Sequence, residues 1–186
     1  TEVQASLWET GAVDVKIAED PEDREKLWSG RKTAFGSFGA IAPNYYLVDG
    51  VVPRTKLVEV LRLVGDLSER YGIVIANVFH AGDGTLHPCM LFDEREPGIS
   101  DKVMAAASEL MEYCVAVGGT LSGEHGIGLE KKEFMPLVFN PDDMNAMKQA
   151  RNAFAPKNNL NPGKIFPDGS APYLSPQKDT SPGLYI

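Results

Sequence analysis

Two apolar, β-branched runs separated by a short polar loop constrain the fold of this chain most strongly. The runs cover residues 73–79 and 86–92, and the loop between them contains Asp83-Gly84. Asp-Gly between two such runs is the strongest short-range signal for a β-hairpin. The sequence therefore predicts an antiparallel hairpin near the middle of the chain, with both strands buried.

Helices are predicted on both sides of this hairpin. Apolar residues three and four apart indicate amphipathic helices, and an Asp or Asn followed by proline indicates a helix start. The predicted helices cover residues 20–35, 57–71, 100–117 and 140–155, and further strands are predicted over residues 13–18 and 45–52. The last helix is predicted to turn Met144, Met147 and Phe154 inward. This order of elements predicts an α+β fold in which helices pack on an antiparallel sheet.

Length and composition limit the domain organisation and the partners. We assign residues 1–167 to one domain and residues 168–186, which are rich in proline and polar residues, to an extended tail. The chain does not begin with methionine, so we expect it to be part of a longer protein. A net charge of −8 argues against nucleic acid as a partner. Two cysteines without a CxxC motif, and no apolar run of about 20 residues, favour the cytoplasm.

All three histidines of the chain fall in two short glycine-rich segments, residues 80–87 and 122–128. If Asp83-Gly84 forms a two-residue turn, His80 lies directly opposite His87 across the hairpin. Opposed residues of antiparallel strands project to the same side with Cβ atoms roughly 5 Å apart, so both imidazoles can bind one ion. A histidine beside glycines is also typical of a simple turn, and that interpretation stays open for each histidine taken singly.

Glu124 and His125 are adjacent in the second glycine-rich segment. A carboxylate commonly completes a two-histidine site for Zn, Mn or Fe and leaves a coordination position open, so Glu124 is the predicted third ligand. Neighbouring residues in an extended loop point in different directions, which leaves His125 free to accept a proton near neutral pH. The sequence thus predicts a metal site with a general base next to one ligand.

Arg31 is the candidate for anchoring a substrate. It shares a face of the predicted helix over residues 20–35 with Leu27, Trp28 and Ala34, which places a cation on the inward side. A guanidinium forms bidentate hydrogen bonds to a carboxylate, so Arg31 can bind a carboxylate of a substrate. Pairing with a structural carboxylate is an equally open interpretation.

The motifs HAGDGTLHP and SGEHGIG resemble the C-terminal portion of FAD-linked oxidases of the vanillyl-alcohol-oxidase type. The segment WSGRKTAFGSFGAIAPNYYLVDGVVPRTKL before them and NPGKIF after them extend the similarity over residues 11–167. Within the family, the chain is most similar to flavin-binding subunits of glycolate oxidases and then to D-lactate and D-2-hydroxyglutarate dehydrogenases. Thr85 replaces the asparagine that is usual in the GDGN motif.

The resemblance implies a ferredoxin-like cap domain that works with a separate N-terminal FAD-binding domain of the same protein. It implies that His80, His87 and Glu124 bind a divalent metal, that His125 is the catalytic base, and that Arg31 contacts the carboxylate of a small 2-hydroxy acid. It places Asn161 and Lys164 near the flavin cofactor. It further implies other oxidase subunits, including one that transfers electrons and through which the enzyme attaches to the inner face of the membrane.

Together these patterns predict the substrate- and metal-binding part of a flavin-dependent 2-hydroxy-acid dehydrogenase or oxidase. The enzyme would convert glycolate or D-lactate to the 2-oxo acid, and the fragment is expected to be inactive without its flavin domain. Two alternatives stay open. The same ligands could form a stand-alone zinc hydrolase, or the chain could be a cap or assembly module that binds no metal.

Overall fold

The computed structural model describes residues 1–170, which divide into two compact units. The first unit covers Thr1–Gly39 and the second begins at Ala40. The part of the predicted tail after Ser170 lies outside the described residues, and residues 168–170 have no regular secondary structure. No helix within residues 1–170 is both long and apolar enough to cross a membrane.

The first unit contains two helices, α1 (Glu2–Glu9) and α2 (Pro21–Phe38). As predicted, the Asp20 side chain caps α2 by accepting a hydrogen bond from the Asp23 amide. The predicted strand over residues 13–18 is wrong, since these residues have no regular structure. The predicted inward stripe of α2 is also not formed. Its two largest members, Leu27 and Trp28, are exposed, because α2 is too polar overall to present a continuous apolar face.

A three-stranded antiparallel sheet organises the second unit. The strands are β1 (Asn44–Leu47), β2 (Val74–Asn77) and β3 (Pro88–Phe92), in the order β1-β3-β2. The central strand β3 is buried throughout and places Met90 between Tyr46 of β1 and Ile75 of β2. The α+β class with an antiparallel sheet is therefore confirmed. The edge strand β2 is less buried than predicted, since Val74 and Asn77 are exposed and Ile75 and Ala76 are only partly buried.

Helices α3 (Leu57–Tyr71) and α4 (Ile99–Ala116) form one core with this sheet. Both agree with the predicted helices to within one residue. The apolar stripe of α3 buries Val60, Val64 and Leu67 completely, and burial of such side chains contributes roughly 1.5–3 kcal/mol each. Gly72 ends α3 in the left-handed conformation (φ 65°) that a glycine adopts without steric strain. The loops of the second unit that connect these elements therefore begin and end at one packed core.

Helix α5 (Pro141–Phe154) begins where the sequence predicts. The Asn140 side chain accepts hydrogen bonds from the amides of Asp142 and Asp143, and Asp143 bonds the Asn140 amide in return. Met144 and Met147 pack against the core as predicted. Phe154 does not, because it lies at the last residue of the helix and is 85% exposed.

The central hairpin has a different register from the predicted one. His80 pairs with Thr85, not with His87, and four residues instead of two separate the paired positions. The His80 amide donates to the Thr85 carbonyl at 3.0 Å, and the Asp83 amide closes the turn by donating to the His80 carbonyl at 3.1 Å. Beyond this pair, the Val78 amide donates to the His87 carbonyl at 3.3 Å. The predicted strand over residues 86–92 accordingly begins later, at Pro88.

Candidate metal and base site

The segment Asp49 to Val52 connects the two glycine-rich loops of the second unit. Val51 forms antiparallel bridges with Thr85 of the first loop and with Thr120, which precedes the second. The Val51 amide and the Thr120 carbonyl are 3.1 Å apart, and the Leu86 amide donates to the Gly50 carbonyl at 2.8 Å. These bridges and hydrogen bonds join the segment to residues that lie 34 to 69 positions further along the chain. The histidine loop and the Glu124 loop are held side by side.

Gly123 allows a close contact between these loops. A Cβ atom at this position would lie 2.7 Å from Thr85 Cγ2 and 2.8 Å from Val51 Cγ2, which is closer than van der Waals contact allows. Thr85 is itself 6% exposed and forms the bridge with His80. Thr85 therefore has a packing role at the position where asparagine is usual in the family motif.

His80, His87 and Glu124 converge despite the altered hairpin register. Their nearest nitrogen and oxygen atoms all lie within 4.8 Å of one another. His80 Nε2 is 3.4 Å from one carboxylate oxygen of Glu124, and His87 Nε2 is 3.5 Å from the other. Both distances exceed the usual length of an N–H···O hydrogen bond. Two ligands that are each about 2.1 Å from a tetrahedral ion lie about 3.4 Å apart, so the separations fit a shared ion.

The environment of His87 favours its neutral form. This side chain is 4% exposed, and burial lowers the pKa of its imidazole although the carboxylates of Asp49 and Glu124 act in the opposite direction. Its Nδ1 atom is buried without a hydrogen-bond partner and lies 3.8 Å from an Asp49 oxygen. A metal ion binds the neutral imidazole only, so the chemistry of the donor set fits a divalent ion.

His125 lies beside this cluster and is exposed. Its imidazole stacks on that of His87, with ring centroids 5.2 Å apart and planes inclined by 6°. His80 meets His87 edge to face at 5.6 Å. All three predicted histidines thus lie around one point, with His87 between the other two. His125 faces a cavity of about 340 Å³ that is also lined by Glu130 and Lys164.

Three residues beside the histidines were not predicted from the sequence as parts of the site: Asp49, Lys131 and Ser122. Asp49 and Lys131 are both buried and form an ion pair of 2.9 Å, and the Ser122 hydroxyl donates to Asp49 at 2.6 Å. Burial opposes the charge of Asp49, but hydrogen bonds from Ser122, Lys131 and the His125 amide outweigh it and hold the pKa well below its ordinary value. Burial lowers the pKa of Lys131, and the bond to Asp49 partly offsets this.

A signal for this pair was present in the sequence. Asp49 is the one charged residue in the apolar run from Tyr45 to Val52, and a charge inside such a run is seldom buried without a partner. Asp49 also lies within 4.8 Å of His87 and His125 atoms, as a second possible ligand group. The Lys131 ammonium already occupies the position of a cation at Asp49, so of the two groups the Glu124 group is the better candidate for a metal site.

The two predicted flavin-side residues lie in one turn. Lys164 lines the cavity at His125, and its ammonium donates to the Asn161 side chain at 3.2 Å. Arg151 of α5 fixes this turn by donating to the carbonyls of Leu160 and Asn161 at 2.7 and 2.9 Å. The Ile165 amide bonds the Gly128 carbonyl at 2.8 Å. The structure thus brings Lys164, but not the exposed Asn161, to the cavity.

Arg31, the predicted substrate anchor, belongs to helix α2 of the first unit. It is half-buried. None of the hydrogen bonds or ion pairs described for residues 1–170 involves its guanidinium.

The family model for FAD linked oxidases, C-terminal domain, matches residues 1–165. The chain belongs to this family. The FAD-linked oxidase domain described here is 46% identical to glycolate oxidase subunit GlcD of Escherichia coli strain K12 over 161 residues, which are 87% of this chain and 32% of that protein. It is 34% identical to the Bacillus subtilis GlcD subunit, over 88% of the chain and 35% of that protein.

A D-lactate dehydrogenase of Archaeoglobus fulgidus is 35% identical over 155 residues, which cover 83% of this chain and 34% of that protein. The domain therefore spans about a third of the length of these relatives. The predicted family is confirmed, and so is the predicted similarity to glycolate oxidase subunits and D-lactate dehydrogenases. Two thirds of each relative has no counterpart in this chain.

Proposed function

We propose that this domain is the substrate- and metal-binding part of a flavin-dependent oxidoreductase that oxidises a small 2-hydroxy acid to the 2-oxo acid. One observation carries the proposal most directly. In a domain of the FAD-linked oxidase family, two imidazoles and the Glu124 carboxylate converge at ligand distances, with the free imidazole of His125 stacked beside them. The names of the relatives favour glycolate or D-lactate as substrate.

His80, His87 and Glu124 would hold a divalent ion, for which Zn, Mn and Fe are the candidates. The buried His87, whose pKa is lowered by burial, would be a fixed donor, and the exposed Glu124 would be an adjustable one. When bound, such an ion lowers the pKa of a coordinated hydroxyl, and FAD accepts a hydride. FAD would be bound mainly by the N-terminal domain, with Lys164 contributing from the cavity and Asn161 through its hydrogen bond with Lys164.

His125 is the proposed catalytic base. It is exposed to the cavity while its stacking on His87 limits the rotation of its ring. A neutral imidazole at this position would accept the proton of the substrate 2-hydroxyl. Arg31 would bind the substrate carboxylate through a bidentate pair, an assignment that depends on guanidinium chemistry and on the family resemblance.

The proposed partners are the N-terminal FAD-binding domain and further oxidase subunits, one of which carries electrons away. GlcD is named as a subunit of glycolate oxidase, which supports an assembly of this kind. Attachment to the inner face of the membrane would then come through those subunits. The proposed location of the enzyme is the cytoplasm.

Elemental analysis of the domain, purified without an affinity tag, tests the metal assignment. We expect close to one divalent ion per chain, and its loss in His80→Ala and in His87→Ala. His125→Ala is the matched control and should retain the ion, because the proposed base is not a ligand. An unchanged metal content in both ligand variants would refute the assignment.

Turnover tests the proposed reaction. The domain should be joined to its FAD-binding domain and supplied with glycolate, D-lactate or D-2-hydroxyglutarate and an artificial electron acceptor. We expect reduction of the acceptor with one or more of these acids, and none by the isolated domain. Hydrolytic activity of the isolated domain without flavin would instead identify a zinc hydrolase.

A further inference from the structure

We infer that Asp49 is a positioning residue whose carboxylate fixes the loop Ser122 to His125, so that Glu124 and His125 both reach His87. This inference rests on the proposed function, because it concerns the proposed ligand and base. It assigns a role to a buried acid that neither ligates in the Glu124 group nor faces the cavity.

The hydrogen bonds of the loop converge on this one side chain. The Asp49 carboxylate accepts from the backbone amides of Gly123 at 3.2 Å, Glu124 at 3.2 Å and His125 at 2.9 Å. It also accepts from the Ser122 hydroxyl, whose oxygen in turn accepts from the Gly126 amide at 2.7 Å. The loop has no helix or strand of its own to satisfy these amides. The carboxylate therefore replaces secondary structure as the partner of the loop.

The backbone of Asp49 connects the same loop to the histidine segment. Its carbonyl accepts a further hydrogen bond from the Gly123 amide at 3.2 Å, and Leu86, next to His87, bonds the adjacent Gly50. An Asp49 oxygen also lies 3.8 Å from His87 Nδ1. One residue thus contacts both halves of the proposed metal site, which explains how Glu124 comes within 3.5 Å of His87.

A carboxylate suits this position better than an amide or a hydroxyl. All of the groups that meet it are donors, and a carboxylate accepts through both oxygens, whereas one end of an asparagine side chain is itself a donor. Lys131 supplies the compensating charge at 2.9 Å, in a place where an unpaired carboxylate would be costly. Positioning of the loop and compensation of charge are therefore separable roles.

Two variants of the whole chain separate these roles. Lys131→Met removes the cation and keeps the carboxylate, while Asp49→Asn combined with Lys131→Met removes both charges and leaves no buried ion. Backbone amide exchange by NMR reports on the loop without any metal, and calorimetric titration with Zn²⁺ reports on the ligands. Removal of groups that orient metal ligands typically lowers metal affinity 10–100-fold.

We expect amide exchange at Glu124 and His125 to be about tenfold or more faster in the double variant than in Lys131→Met. The amides of Met90 in β3 and Leu110 in α4 should exchange no faster in the double variant than in Lys131→Met, which leaves the buried Asp49 carboxylate unpaired. Zn²⁺ should bind the double variant about 10–100-fold more weakly than it binds Lys131→Met. This combination would support the inference.

Equal exchange at Glu124 and His125 in the two variants would overturn it. Faster exchange everywhere, Met90 and Leu110 included, would also overturn it, because Asp49 would then stabilise the whole unit and not the loop. If the wild-type chain binds no Zn²⁺, the metal assignment fails, yet local loss of amide protection would still support Asp49 as the residue that positions the loop.

Discussion

His87 is the residue on which the site depends most. It is buried in surroundings that lower the pKa of its imidazole, it lies within 3.5 Å of the Glu124 carboxylate, and the rings of His80 and His125 flank it. His80 and Glu124, in contrast, are each about half exposed. In the proposed metal site, the buried imidazole of His87 would fix the position of the ion, while the more exposed His80 and Glu124 would adjust to substrate.

At His125 we predict a loss of catalysis without a loss of metal. In the domain joined to its flavin-binding partner, His125→Gln should lower kcat by about 10²–10⁴-fold, the usual contribution of a positioned general base. Steady-state kinetics and elemental analysis of the same preparation measure both effects. His87→Ala serves as the comparison, since it should lose the metal together with activity. Unchanged kcat in His125→Gln would exclude this residue as the base.

Gly123 is predicted to tolerate no side chain. In Gly123→Ala the new methyl group would overlap Thr85 and Val51, and forcing extra volume into a packed contact costs about 1–3 kcal/mol. Urea unfolding should show this decrease in the free energy of unfolding, and Zn²⁺ affinity should fall as the loops separate. Gly123→Ala combined with Val51→Ala, which removes one of the overlapping methyl groups, should recover part of the loss. Wild-type stability of Gly123→Ala would contradict the close approach of the loops.

At the scale of the element, local signals in the sequence determine helix ends well. Asn140 begins α5 and Gly72 ends α3 as predicted, because each depends on hydrogen bonds or dihedral angles within a few residues. The hairpin register was predicted wrongly for the opposite reason. His80 pairs with Thr85 because Val51 binds the same segment from the other side, and that contact joins residues 34 positions apart.

Two glycines, one inside α3 and one directly after it, are predicted to change the free energy of unfolding in opposite directions when replaced by alanine. Gly65 lies in the helix interior with open space around its Cα, so Gly65→Ala should raise the free energy of unfolding by about 0.5–1 kcal/mol. Gly72 has a φ of 65°, so Gly72→Ala should lower it by about 1 kcal/mol. Urea unfolding followed by circular dichroism measures both. A loss of stability in Gly65→Ala would show that the exposed face of α3 has a partner.

At the scale of the whole molecule, the sequence predicted the parts of the site but not what holds them together. The histidines and Glu124 were recognisable because their residue types are scarce and metal-binding. Asp49 was missed because its partners, Ser122 and Lys131, lie 73 and 82 residues away, and a lone acid in an apolar run has no visible partner. The convergence of His80, His87 and Glu124 was predicted although the predicted hairpin register was wrong, because bridges from Val51 to Thr85 and Thr120 hold the two loops side by side.

The reactivity of the two cysteines reports on whether the second unit unfolds as one cooperative structure. Cys89 in β3 and Cys114 in α4 are fully buried, and burial raises the pKa of each thiol to about 12. The thiolate is the reactive form, so neither cysteine should react with iodoacetamide near pH 8 unless the unit unfolds. For a typical domain stability of at least about 5 kcal/mol, alkylation should be at least about a thousandfold slower than for a model thiol peptide.

Mass spectrometry should find both cysteines modified together across the urea transition. Modification of Cys114 alone before that transition would show that α4 separates from the sheet, and that the core is not one cooperative structure.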